Sequence, residues 1–232
     1  MAVTPIIENR GGYNITKYQI DVSEDMRNRA LAFATRIKFS DNQYHRLIPQ
    51  RLQNSIREHM RQNDIPGVLC DTTEILKIET QRTYIGKLGE LVFLELLSNS
   101  NINYPTDAMF EIYDGQENVD EFDFRTVQGN TVDIKTGFRS NHTRLLINRD
   151  QFENSPKDYY VGIKLNATDT PNNDYLVEWD SIHTAFVEGY ADREFLSSHV
   201  EYQNFGEGPA KSRAYNRLLA INRLLTQFQH NQ

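Results

Sequence analysis

The spacing of apolar and polar positions changes along this chain, and the changes mark its elements. Over residues 122–135 the period is two. Phe122 and Phe124 share one side of a first strand, with Asp123 and Arg125 on the other. Val132 and Ile134 share one side of a second strand, with Asp133 and Lys135 opposite. Over residues 80–98 the segment TQRTYIGKLGELVFLELLS leaves little polar surface, which predicts a well-buried helix. Residues 158–165 predict a buried central strand, and 185–190 a strand followed by a turn or short helix to 196. Residues 24–39 and 44–63 mix apolar and basic positions, so the N-terminal third predicts a mostly helical region. Residues 209–228 predict a last helix, with Leu218, Ile221, Leu225 and Phe228 on one stripe whose default role is core packing. Pro66-Gly67 is a plausible break, dividing the chain into a helical region 1–69 and a core 70–232.

The turn of the hairpin decides whether its faces agree. A two-residue Gly129-Asn130 loop would set Asp123 against the apolar side of the second strand. A three-residue loop, Gln128-Gly129-Asn130, aligns all the polar and all the apolar positions, and is the one expected. It sets Lys135 across from Asp123, and Asp133 across from Arg125, which could touch a phosphate or neutralise that aspartate. A carboxylate two places before a lysine arises about once by chance in a chain of this composition, so only its context carries information.

Glu90 is the charge that interrupts the apolar helix. A buried carboxylate needs a partner, and a metal or a lysine would serve. The plainer alternative is a wet edge and a pair with Lys87, three residues before it.

Glu90 on a helix, Asp123 on a strand and Asp133-Ile134-Lys135 on the next strand resemble the PD-(D/E)xK nuclease superfamily. The resemblance covers roughly residues 80–165, with weaker echoes to about 196. Phe122 stands where that family often has proline. The resemblance implies an α/β, restriction-endonuclease-like core: a central mixed β-sheet flanked by helices, here with an N-terminal helical extension. It implies Mg²⁺, with Mn²⁺ able to substitute, held by Asp123, Asp133 and the backbone carbonyl of Ile134. Glu90 would bind a second ion directly or through water, and Lys135 would orient the attacking water. The implied activity is DNA phosphodiester hydrolysis by a type II restriction enzyme, acting on double-stranded DNA as a homodimer. A repair or recombination nuclease, such as a junction resolvase, is the main alternative. An inactive DNA-binding protein of the same fold is the competing class.

Composition narrows the setting. A net charge of −7 is unlike a nonspecific DNA coat, but DNA contact needs only local positive charge. Residues 135–149 contain Lys135, Arg139, His142, Arg144 and Arg149 and no carboxylate. Arg139, His142, Arg144 and Arg149 are therefore the candidate DNA contacts, a solvated loop being the bland alternative. Residues 211–232 are also basic and free of carboxylates. Arg46, Arg51, Arg57 and Arg61 could touch phosphates or form a solvated face. No apolar run suits a bilayer, so no membrane association is expected, and residues 1–8 do not read as a secretory signal. The single cysteine, Cys70, excludes an internal disulfide and suits a reducing cytoplasm, prokaryotic or phage-encoded if the resemblance holds. No phosphate-cradling glycine loop, zinc-binding histidine pattern or paired Gly-Ile-Tyr motif is present.

Overall fold

The structure is a computed structural model that describes residues 2–36, 54, 57–58, 60–62, 72–111, 122–168, 178–205 and 208–229. Its strands are β1 (Val3–Arg10), β2 (Tyr13–Asp21), β3 (Phe124–Arg125), β4 (Thr131–Gly137), β5 (Arg144–Asn148), β6 (Tyr159–Leu165), β7 (Thr184–Asp192), β8 (Gln203–Asn204) and β9 (Pro209–Ala214). Its helices are α1 (Glu24–Arg36), α2 (Thr72–Asn99), α3 (Arg149–Asn154), α4 (Arg193–His199) and α5 (Ile221–Leu225).

The region 1–69, expected to be mostly helical, opens with a hairpin. Gly11 and Gly12 form a two-residue turn with φ of 60° and 92°, values that glycine tolerates and other residues rarely adopt. β1 and β2 pair antiparallel from Val3↔Ile20 to Arg10↔Tyr13, and β2 pairs with β7. The first 21 residues thus belong to the same sheet as the expected core. Helix α1 does form where helix was expected. Ser23 Oγ accepts from the Met26 N–H, and Glu24 and Asp25 sit at its positive end. Most of segment 44–63 and the break at 66–67 lie outside the described residues, and so do Arg46 and Arg51.

Six strands form one mixed sheet in the order β1-β2-β7-β6-β4-β3. β4 and β6 are parallel, while the other neighbours are antiparallel. β6 is the central strand expected for 158–165. One face of the sheet, with Val132, Ile134, Val161, Ile163, Leu165, Ala185 and Val187, meets α2 and α5, and α1 packs on α2. A Cβ on Gly89 of α2 would lie 2.0 Å from Thr136 Oγ1 of β4, so helix and strand approach this closely only because position 89 is glycine.

The opposite face carries a second layer. Strands β5-β9-β8 form a small antiparallel sheet that closes over Tyr160 and Ala191 with α3, α4 and the turn at Tyr215. The expected final helix is therefore divided. Residues 209–214 are strand β9, Tyr215–Arg217 is a 3₁₀ turn, and only Ile221–Leu225 is α-helical. β9 takes up its extended form because β5 and β8 both pair with it. Leu218, Ile221, Leu225 and Phe228 are all buried, as the stripe predicts. The whole is a mixed α/β fold with a central mixed sheet flanked by helices. Among the described residues no helix is long and apolar enough to cross a membrane.

Candidate functional site

The hairpin of residues 122–135 forms, but its register differs from the expected one. Phe124 pairs with Val132 and Arg125 with Thr131. The loop does have three residues, placed one position earlier: Val127, Gln128 and Gly129. It is closed by the Thr126 N–H donating to Asn130 O at 2.9 Å and the Asn130 N–H donating to Thr126 Oγ1 at 3.1 Å. Gly129, at φ 89°, takes the left-handed position. The pairing shifts by two residues, so every side chain keeps its expected face while its cross-strand partner changes.

Asp123 lies just beyond the two-residue strand β3. Its carboxylate accepts from the Ile134 N–H at 2.6 Å, and its own N–H donates to Val132 O at 3.1 Å. It does not face Lys135 as the expected register required. The carboxylate instead occupies the edge of β4 that β3 leaves open. Because the N–H and C=O of one strand residue point to the same side, the Ile134 carbonyl is directed to that edge as well.

Asp133 is buried on the opposite face of β4 from Val132 and Ile134. Lys135 Nζ lies 2.6 Å from Asp133 Oδ2 and donates to Gln151 Oε1 at 2.8 Å. Gln151 Nε2 donates in turn to the same Asp133 oxygen at 3.2 Å. Lysine, amide and carboxylate form a closed triangle. Arg125, expected to neutralise Asp133, does not do so: it donates to Gly129 O at 3.0 Å and lies 4.1 Å over the Phe122 ring. The shifted register removes it from Asp133's position.

Glu90 pairs with Lys87, but as a largely enclosed carboxylate with a lysine partner and not at a wet edge. Lys87 Nζ is 2.5 Å from Glu90 Oε2, donates to Met109 O at 2.8 Å, and sits 4.5 Å over the Phe33 ring. Lys87 is buried, with 3% of its side chain exposed, so this is an interior ion pair and not a wet edge.

The acidic groups still sense one another. Burial raises the Asp123 carboxyl well above the usual carboxylate range, and the charges of Glu90 and Asp133 push it further. The Ile134 N–H and the Lys135 ammonium act in the other direction without reversing the result. Among the described residues no three His, Cys, Asp or Glu side chains converge into a metal cage. Asp123 and Asp133 thus flank Ile134 as a pair, with Glu90 tied to Lys87.

The four basic candidates have contacts of their own. His142 Nδ1 accepts from the N–H groups of Phe138 and Arg139 at 3.1 and 3.4 Å, closing the turn after β4. Arg139 lies 5.3 Å over the Phe138 ring. Arg144 donates to Ser212 Oγ at 3.1 and 3.3 Å and lies 5.7 Å over Phe205. Arg149 pairs with Glu153 at 2.9 Å. Arg144 and Arg149 are exposed. Of the helical arginines, Arg57 donates to Asn54 and Arg61 pairs with Glu58.

Sequence reasoning missed Gln151. Its one local signal is Asn148, three residues earlier, whose Oδ1 caps α3 by accepting from the Gln151 N–H at 2.7 Å. That signal marks a helix start but not the direction of the glutamine side chain. No family model matches the chain, and no curated protein or solved structure matches it.

Proposed function

We propose that this protein is a metal-dependent endodeoxyribonuclease of the PD-(D/E)xK type, working as a restriction enzyme on double-stranded DNA. The observation that carries this reading is the pair Asp123 and Asp133 flanking Ile134, with the Lys135 ammonium 2.6 Å from Asp133. Paired acidic oxygens beside an open strand edge, with a lysine at hand, suit phosphodiester chemistry.

The donor set fits a hard divalent cation. Two carboxylates and the Ile134 carbonyl are all oxygen ligands, as Mg²⁺ prefers. A part-buried Asp123 crowded by Glu90 and Asp133 is a group whose charge a cation would compensate. Asp123, Asp133 and the Ile134 carbonyl would hold the ion, and Mn²⁺ would substitute. Bound there, the ion supplies Lewis acidity at the scissile phosphate. Glu90 contributes at longer range, its carboxylate held by Lys87. A second ion at Glu90 would have to displace that ammonium.

Lys135 does the positioning on the protein side. Its Nζ would hold the attacking water and offset the negative charge that builds on the phosphoryl oxygens. In-line attack by the water oxygen on phosphorus, with cleavage of the P–O3′ bond, leaves a 5′-phosphate and a 3′-hydroxyl. Arg144 and Arg149, both exposed, would contact DNA phosphates. Recognition of a palindromic site would require a two-fold dimer.

The test is cleavage of plasmid and phage DNA with Mg²⁺, against chelator and Lys135→Ala controls, with end-sequencing of the products. Discrete fragments sharing one terminal sequence are expected. Cutting of branched DNA alone would move the reading to a repair or recombination nuclease. Cutting by Lys135→Ala at the wild-type rate would overturn the assignment.

A further inference from the structure

We infer that Gln151 is a positioning residue of this site, setting the metal-binding carboxylate Asp133 and the lysine Lys135 at once; the inference rests on the nuclease reading above. The Gln151 amide accepts from Lys135 Nζ at 2.8 Å and donates to Asp133 Oδ2 at 3.2 Å. An ammonium can only donate and a carboxylate can only accept, so these partners leave the amide one orientation. Glutamate at this position could not donate to Asp133, and lysine could not accept from Lys135. A side-chain amide is the group that bridges the two without changing the charge of either.

The bridge has a rigid anchor. Gln151 is the third residue of α3, and its N–H is held by Asn148 Oδ1 at 2.7 Å. α3 follows directly on β5, whose Leu145 and Ile147 are buried in the second core, and Phe152 beside Gln151 is buried there too. The amide therefore comes to β4 from a packed element and not from a mobile loop. Its neutrality matters chemically. Paired with Asp133 alone, Lys135 would tend to stay on that carboxylate. An uncharged acceptor on its other side keeps the ammonium directed while leaving its charge for the phosphate. The donor to Asp133 selects which carboxylate oxygen remains for the cation. Groups that orient metal ligands in this way typically alter metal affinity or activity by about 10–100-fold when removed.

The test substitutes Gln151→Met, which keeps the volume and removes both hydrogen bonds, with Gln151→Leu as a second variant. Two measurements are made on the full chain. Calorimetric titration with Mn²⁺ should show about 10–100-fold weaker binding than wild type, with Asp133→Ala as the non-binding control. Cleavage kinetics should show a fall of similar size in kcat with KM for DNA unchanged, and an unaltered far-ultraviolet spectrum should report an intact fold. Wild-type Mn²⁺ affinity and wild-type kcat in both Gln151 variants, with Lys135→Ala inactive, would overturn the inference and leave the nuclease reading standing. A wild-type protein that neither binds Mn²⁺ nor cuts DNA would overturn both.

Discussion

The Asp123 carboxylate accepts a 2.6 Å hydrogen bond from the backbone N–H of Ile134. A side chain thereby finishes the edge of β4 where strand β3 has already ended. The contact favours an ionised Asp123, yet burial and the charges of Glu90 and Asp133 outweigh it and hold the pKa up. This balance has a consequence for stability. A carboxyl whose folded pKa lies above its unfolded value of about 3.9 stabilises the fold fully below that value. The contribution is lost as pH rises through the elevated folded pKa. Asp123→Asn keeps an acceptor for Ile134 and removes the charge. In chelator, its melting temperature should rise relative to wild type as pH increases from about 4 through that window. A difference independent of pH would refute the account. Added Mg²⁺ should stabilise wild type and not Asp123→Asn, as expected for a ligand that binds only the folded state with Asp123 in place.

Lys135→Ala should lower kcat by at least about 10²-fold, on the scale of losing one donor to developing charge. Far-ultraviolet circular dichroism and the melting profile should remain close to wild type. Lys135 is only half-buried, and its ammonium meets Asp133 and Gln151. Loss of cleavage together with loss of folding would leave no case for a chemical role.

Lys87→Met should be among the most damaging single changes. It removes the cation 2.5 Å from Glu90 and leaves that carboxylate largely buried without its ion pair. Breaking one side of such a pair costs roughly 3–5 kcal/mol. The double variant Lys87→Met/Glu90→Gln should recover much of the loss, because it removes the opposing charge as well. Urea unfolding of the four proteins measures the coupling, and additive effects would contradict an interior pair.

Gly89→Ala should destabilise the protein by about 1–3 kcal/mol through overpacking. The added methyl would meet Thr136 Oγ1 at 2.0 Å, a distance that forces α2 away from β4. Thr136→Ala in the same chain should relieve most of the penalty. Cleavage by Gly89→Ala should fall as well, since α2 carries Glu90 and β4 carries Asp133 and Lys135.

Arg144→Ala should weaken DNA binding to a similar extent on all sequences. Its exposed guanidinium, steadied by Ser212 and Phe205, suits a phosphate better than a base edge. The slope of log affinity against log salt should become shallower by about 0.9. A loss confined to one sequence would assign it to base recognition.

The sequence by itself determined everything that depends on local periodicity. Alternation over residues 122–135 settled which face of the hairpin carries Asp123, Asp133 and Lys135, because a shift of two residues leaves parity unchanged. The same reasoning placed β6, β7 and α2, whose segments are predominantly apolar. It failed where pairing partners decided the outcome. Residues 209–214 have no strong pattern of their own and become a strand because β5 and β8 hydrogen-bond to them. The hairpin at 3–21 carries a local signal in its Gly11-Gly12 turn, ahead of segments whose pattern is helical. Tertiary structure alone decided the register of β3 on β4, the enclosure of the Lys87 ammonium by Met109 O and the Phe33 ring, and the arrival of Gln151 at Lys135. Each of these depends on where a distant or adjoining element comes to rest, and the identity of a buried charge's partner is set by that three-dimensional packing, which spacing along a chain does not encode.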